Sequence, residues 1–323
     1  MKRLHITATG LFWRRLRLTT LTGLLGLLTS LQAAGGRIPL PLEYGLDVQD
    51  TRWLVSGSIF ECRFEQPIPT YGSAVFVHKA GEDVSFQLEA INNMMDYSPA
   101  RISLLPPPWR PSEQSENMGT AKLSQAPPLL ALDARRSNVF LHGLLEGKRP
   151  TISHKTRYDT DRFVRVYLSN VTFQDFYPVF LECVSQLLPL NFDQVARRKV
   201  FFPSGGDKLD KKDLQSLDQI IYYIQHDPRV NAVYLDGHAD NQGRRYDNRQ
   251  ISKSRVEAVE RYLVEKGIDA TMLTTRFHGD RYPVASNKTA QGRAENRRVT
   301  IRLEMDKDMA IPDELLFKPK PRN

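Results

Sequence analysis

The chain has 323 residues and a mass of 37.0 kDa, too long for one ordinary domain of roughly 100–200 residues. A composition of 41% hydrophobic, 25% charged and 9% aromatic residues excludes global disorder, a collagen-like repeat and a disulfide-dense miniprotein. The formal charge of +8 points toward a polyanionic partner, but five basic residues and no acids precede residue 35, and the +3 that remains argues against nucleic acid.

Those five are Lys2, Arg3, Arg14, Arg15 and Arg17. An apolar stretch from Leu18 to Leu31 follows, and then the small residues Ala33, Ala34, Gly35 and Gly36. A basic start, a short apolar run and a small-residue exit predict a secretory signal peptide over 1–34, with an uncleaved amphipathic leader as the alternative. The run has 14 residues diluted by threonine and glycine, whereas a membrane span needs about 20 apolar ones, so no permanent membrane span is expected. Arg14-Arg15 matches a twin-arginine signal weakly, and no cysteine follows the stretch to carry a lipid. Export places the two cysteines, Cys62 and Cys183, in an oxidising compartment. A bridge between them would close a loop of about 120 residues and contribute ~4–5 kcal/mol in the chain-entropy model; two inert buried thiols are the alternative.

Residues 35–194 read as an antiparallel β-rich domain. Phe60, Cys62 and Phe64 alternate with Glu61, Arg63 and Glu65, and Val84, Phe86, Leu88 and Ala90 alternate with polar neighbours, the period of half-buried strands. Ser73 to Val77 is expected to pair with the second run through a turn at Ala80-Gly81, and Phe163 to Val171 is a further strand. Proline-rich residues 106–128 predict a long exposed loop. Phe180, Leu181, Val184, Leu187 and Leu188 fall at helical spacing, with Pro178 in the first turn and Pro189 as the stop.

From 195 to 305 the rhythm changes to an α/β module of order β-α-β-α-β-β. Lys199 to Phe202 is a strand. Asp210 caps a helix striped by Leu214, Leu217, Ile220, Ile221 and Ile224, and Val230 to Leu235 is a buried strand. A helix with Val256, Val259 and Leu263 on one face follows, then strands at Leu273 to Phe277 and Val299 to Leu303. The fold class is therefore α+β in two domains. Net charge divides with them, −3 over 35–196 against +6 over 197–305, which assigns an anionic partner to the second domain. The segment 306–323 ends in Lys318-Pro319-Lys320-Pro321 and predicts a flexible tail.

The richest chemistry lies in Gly237-His238-Ala239-Asp240, Asn248, Ile251-Ser252 and Arg255, and then in Gly292 through Val299. Asp240 falls just past a strand end, where α/β folds place binding groups, and Arg255 is placed about one turn into the next helix. An acid and an arginine beside a helix start suit a small zwitterion: the carboxylate takes an ammonium and the guanidinium takes a carboxylate. Arg297 and Arg298 add positive charge. Competing readings are a His238–Asp240 metal pair, a purely structural Asp240–Arg255 ion pair, and a solvated strand start at Asn296. No histidine spacing or cysteine motif suggests a nucleophile, so a wall-modifying enzyme is the weakest function class, and neither cofactor nor metal is expected.

These residues resemble the OmpA-like peptidoglycan-binding family, whose pattern they follow from Gly237 to Val299 with Ile251 and Val256 as mild departures. The resemblance implies that Asp240 and Arg255 hold the diaminopimelate of the stem peptide, with Asn248 and Arg297 shaping the site. The first half resembles the MotY family of sodium-driven flagellar motors. That resemblance lies in Trp53-Leu54, Cys62, Gln66 through Phe76, Pro108-Trp109-Arg110, Cys183, Leu187-Leu188-Pro189 and Asn191-Phe192-Asp193. It implies a periplasmic adaptor that binds the flagellar basal body and a MotX-like partner, forms a ring that supports stator assembly, and fastens that ring to the cell wall. A general envelope anchor unrelated to flagella is the alternative.

Overall fold

The computed structural model describes residues 41–45, 51–91, 98–107, 109–110, 112–156 and 162–319. The expected signal peptide, Pro108, Pro111 and the Lys320-Pro321 end lie outside the described residues.

Among the described residues, ten strands build the first half: β1 (Leu42–Tyr44), β2 (Leu54–Gly57), β3 (Glu61–Ile68), β4 (Gly72–Lys79), β5 (Ser85–Ala90), β6 (Ala100–Leu105), β7 (Glu116–Ala121), β8 (Leu130–Leu132), β9 (Arg149–Lys155) and β10 (Phe163–Tyr167). They form two five-stranded sheets, ordered β2-β3-β4-β5-β8 and β1-β10-β9-β6-β7, antiparallel except where β1 runs parallel to β10. Along β3 the burial alternates strictly, with Cys62 and Phe64 turned inward, as the sequence period predicts. β4 pairs with β5 in the expected hairpin, matching Phe76 to Phe86.

Two helices close this core. α1 (Ala134–Leu145) starts on the Asp133 side chain, which accepts the backbone N–H of Arg136, and buries Phe140, Leu141 and Leu144. α2 (Phe173–Val184) lays Phe173 and Phe180 against Phe64 at ring separations of 5.3 Å each. Trp53 stacks into the same aromatic cluster, and its indole N–H donates to the Ser169 carbonyl. The Cys62–Cys183 disulfide ties β3 to α2.

The structure corrects two expectations here and adds one element. α2 is not entered at Pro178: the buried Phe173 extends the apolar face a full turn earlier, so Pro178 sits inside the helix and Leu181 is exposed. The segment 106–128 is not all loop, because β7 joins β6 as a sheet edge; its mostly outward residues leave no apolar alternation to read. The added element is α1, in a segment to which the sequence reading assigns no structure.

The second half has α3 (Phe192–Val195), β11 (Arg197–Phe201), α4 (Lys211–His226), β12 (Val230–Gly237), α5 (Arg245–Glu265), β13 (Leu273–Phe277), α6 (Ala290–Asn296) and β14 (Arg298–Met305). Its sheet runs β11-β14-β12-β13, with β14 antiparallel to β11 and β12, and β12 parallel to β13. Asp210 caps α4 through a reciprocal box with Asp213, as expected. Val200, Val233, Leu235, Val299 and Ile301 face the helices and pack with Leu217, Ile220, Val256, Val259 and Leu263.

This second core also takes in Ala80 and Leu188, with Ile59, Phe60, Leu190 and Phe192 packed against it. The turn ends of the first half are thus part of the second half's packing. Phe60 lies under the Arg229 guanidinium at 4.4 Å, and Arg229 pairs with the buried Asp227. The tail is a further correction. Ile59 N–H donates to the Leu315 carbonyl, Leu316 bridges Ser58, Phe317 N–H donates to the Gly57 carbonyl, and Phe317 packs on the first core. Residues 306–317 strap the second half back to β2; the strap is held mainly by backbone bonds, which composition does not report.

Candidate functional site

The buried face of α5 is built in two halves. Asn248, Ser252 and Arg255 occupy its first three turns, and Val256, Val259 and Leu263 continue the same face into the core. The polar half lies beneath the end of β12, so the helix that anchors the fold also carries the site. Arg255 sits in the third turn of α5, two turns further in than the sequence spacing implies, because the helix already begins at Arg245. The helix entry carries Arg244 at the N-cap position, with the exposed pair Arg244–Asp247 across its first turn.

Asp240 follows β12 and is 5% exposed. Its Oδ1 accepts the Gln242 backbone N–H at 3.1 Å, and its Oδ2 accepts Arg297 Nη1 at 2.9 Å. Arg297 also donates through Nε to the Phe202 carbonyl at 3.0 Å. The close partner of Asp240 is therefore Arg297, and the structural Asp240–Arg255 ion pair considered from the sequence does not form.

Arg255 is 1% exposed and engages three carbonyls instead. Its Nε donates to Gly206 at 2.9 Å, Nη1 to His238 at 3.1 Å and Nη2 to Pro203 at 3.0 Å, and the guanidinium lies over the Phe202 ring at 5.4 Å. One N–H on each Nη remains for another acceptor. Burial, followed by the Arg297 charge, pushes its pKa down to about 10; Asp240 and Asp207 oppose that shift.

Asn248 is 4% exposed and its Nδ2 has no partner, a buried donor left open beside the Asp240 turn. Ser252 braces the turn: its hydroxyl accepts the Gly279 N–H at 3.1 Å, and the Gly279 carbonyl in turn accepts Ala239 N–H. Gly237 lies where any Cβ would strike the Ser252 carbonyl and Val256, so glycine lets β12 close onto α5.

The second motif resolves residue by residue. Gly292 packs against Ser286 with no room for a Cβ. The Asn296 amide accepts Val284 N–H and Ala285 N–H and donates to the Ala285 carbonyl and Asn287, which fixes the 284–287 loop. Asn296 is thus a loop clamp. Arg298 opens β14, where successive side chains alternate, and it turns away from Asp240 to line the opposite sheet face with Arg197 and Thr300. The structure brings Asp240, Arg297, Arg255 and Asn248 together and leaves Arg298 out.

His238 does not share a ligand position with Asp240. Its Nδ1 lies 3.3 Å from the Arg281 carbonyl, and its ring stacks on His278 at 4.9 Å. His278 Nε2 reaches Asp236 at 3.2 Å, and Arg302 holds the other oxygen of Asp236. Among the described residues, no group of three or more metal-ligating side chains gathers. Sequence reasoning missed the Pro203, Gly206 and His238 carbonyls that hold Arg255, because backbone acceptors carry no sequence signal.

Residues 44–189 match the family described as MotY N-terminal domain, and residues 201–297 match the OmpA family. The chain carries a MotY N-terminal domain match followed by an OmpA-family match. The sodium-type flagellar protein MotY of Vibrio parahaemolyticus is 28% identical over 285 residues, covering 86% of this chain and 96% of that protein. The peptidoglycan-associated lipoprotein of Pseudomonas putida is 39% identical over 102 residues, covering 32% of this chain and 60% of that protein. Among solved structures, the C-terminal domain of Helicobacter pylori MotB shares 21% identity and a TM-score of 0.32, covering 34% of this chain and 84% of that one. The MotY N-terminal domain holds the disulfide and the aromatic cluster; the OmpA-family domain holds the Asp240 site. Among the described residues, no helix is long and apolar enough to cross a membrane.

Proposed function

We propose that the protein is a non-enzymatic periplasmic anchor of the flagellar motor, gripping peptidoglycan through residues 195–305 and motor components through residues 35–194. The observation that carries this reading is the buried Asp240–Arg297 pair at 2.9 Å, with the Arg255 guanidinium beneath it, in an OmpA-family domain. Asp240 has lone pairs left for the ammonium of a diaminopimelate stem peptide, and the free N–H groups of Arg255 and the Asn248 amide can take its carboxylate. The 203–206 loop covers Arg255. The two glycines there, Gly205 at φ +65° and Gly206, give that loop the freedom to move aside.

The match along nearly the whole Vibrio protein supports the motor half of the proposal. On this reading the β domain binds the flagellar basal body and a MotX-like partner, and the assembled ring helps stators dock. The test is sedimentation of the purified chain with insoluble diaminopimelate-type peptidoglycan. The wild type is expected to pellet and Asp240→Asn to stay in the supernatant; a folded wild type that never pellets would remove the anchor reading. Loss of swimming with intact flagella in a deletion strain separates the motor role from general envelope anchoring, which would give leakage with normal motility.

A further inference from the structure

The helices cover one face of the β11-β14-β12-β13 sheet, and Arg298 lies on the other. It is 4% exposed, yet its hydrogen bonds are two long ones, Nη1 to the Asn296 carbonyl at 3.4 Å and Nη2 to the Tyr282 carbonyl at 3.3 Å. Its Nε is buried with no partner, and among the described residues no carboxylate forms a salt bridge with it. Arg298 is a nearly buried cation with no ion pair of its own: the Asp236 charge acts on it from a distance but is engaged by Arg302 and His278, and burial and the Arg197 charge outweigh it, an arrangement that is costly in the isolated chain.

Two clefts of about 680 and 390 Å³ meet at this side chain, sharing Arg197, Val284, Arg298 and Thr300. Together their walls carry six basic side chains against three carboxylates, and the three are already engaged. Asp236 is held by Arg302 and His278, and Asp210 and Asp213 close the α4 capping box. Exposed apolar side chains edge the same surface: Phe201, Tyr282 and Val284.

We propose that this sheet face, centred on Arg298 with Arg197 and Lys199, docks an acidic segment of a partner protein whose carboxylates supply the ion pair that Arg298 lacks. The apolar edge favours a polypeptide over a free anion, since protein interfaces combine a charged register with buried aromatic contact. The site lies across the sheet from Asp240 and does not depend on wall binding.

The full chain is titrated with a fluorescein-labelled peptide alternating Glu and Phe, read by anisotropy, beside a Gln-Phe peptide and inorganic phosphate. Saturable binding of the Glu peptide alone is expected. Both Arg298→Leu and the double variant Arg197→Glu/Lys199→Glu should weaken it at least about tenfold. Arg298→Leu should melt no lower than the wild type, because it removes a buried charge that Asp236 offsets only in part; a merely structural arginine would lower the melting temperature. The double variant should still pellet with peptidoglycan, so failure here and failure of the wall reading remain distinguishable. No binding of the Glu peptide, equal binding of the Gln peptide, or phosphate binding as tight as the peptide would each overturn the proposal. A wild-type dimer that the double variant dissolves would also overturn it, by assigning the face to a second copy of the chain.

Discussion

Arg297 and Arg298 are adjacent in sequence and serve opposite faces of one sheet. Arg297 reaches Asp240 at 2.9 Å, while Arg298 opens β14 and lines the far side with Arg197. Replacing Arg297 by alanine leaves Asp240, whose side chain is 7% exposed, without its cation. We expect Arg297→Ala to cost about 3 kcal/mol of folding stability and to reduce peptidoglycan pelleting. Arg297→Leu/Asp240→Leu should recover stability without recovering pelleting, which urea melts and sedimentation can separate.

Arg255→Lys tests what the guanidinium does. A lysine can satisfy at most part of the three-carbonyl cage formed by Gly206, His238 and Pro203. The expected result is a stability loss of roughly 1–3 kcal/mol together with lost pelleting. Wild-type stability in Arg255→Lys would show that the cage is dispensable.

Much of this site is legible in the sequence because its motif consists of side chains at fixed spacing. Gly237, Asp240, Asn248, Ser252 and Arg255 follow the strand–turn–helix order, and they converge as that order requires. The direction of Arg298 is not legible, since it depends on where β14 begins rather than on which residues it contains. In the first half, the alternation along β3 and β5 identifies the buried faces, including Cys62. The edge strand β7 has only Ala121 buried, so it carries no periodic signal. The helix α1 does carry one, Asp133 as cap with Phe140, Leu141 and Leu144 at helical spacing, but the prolines at 127 and 128 mask it by extending the loop signal up to its start.

The disulfide joins residues 121 apart and links the β3 face to the helix that covers it. Cys62→Ala/Cys183→Ala is expected to lower stability by about 2–5 kcal/mol while the OmpA-family domain still pellets with peptidoglycan. Thermal melts of the oxidised and reduced wild type provide the same comparison without mutation.

His238 gives the protein an acid-side dependence. Burial first, and then the Arg298 charge, push its pKa down to about 4, whereas an unfolded histidine titrates near 6.5. Between those values the unfolded chain binds more protons, so stability falls as pH drops through the window and the loss is complete below it. The contribution is at most about 3 kcal/mol. His238→Gln keeps an N–H for the Arg281 carbonyl and should flatten the melting profile between pH 4 and 6.5; an unchanged slope would assign it to other groups.

One contact between the two halves, Arg229 over Phe60, is seated on a buried charge. Asp227 is fully buried and accepts Arg229 Nε at 2.8 Å, Arg229 Nη2 at 2.9 Å and the Tyr223 hydroxyl at 2.8 Å, while Arg229 also covers Phe60. The Arg229 backbone carbonyl accepts Asp306 N–H, where the strap leaves β14. Arg229→Met therefore strands a carboxylate and loosens the seat of Phe60 in one change. The expected cost is about 3–5 kcal/mol, with faster proteolysis in the 187–196 connector than in either core. Asp227→Asn/Arg229→Met removes the stranded charge but keeps Phe60 uncovered. If the double variant regains stability but not protease resistance, the ion pair stabilises the second core and the cation over Phe60 holds the halves together.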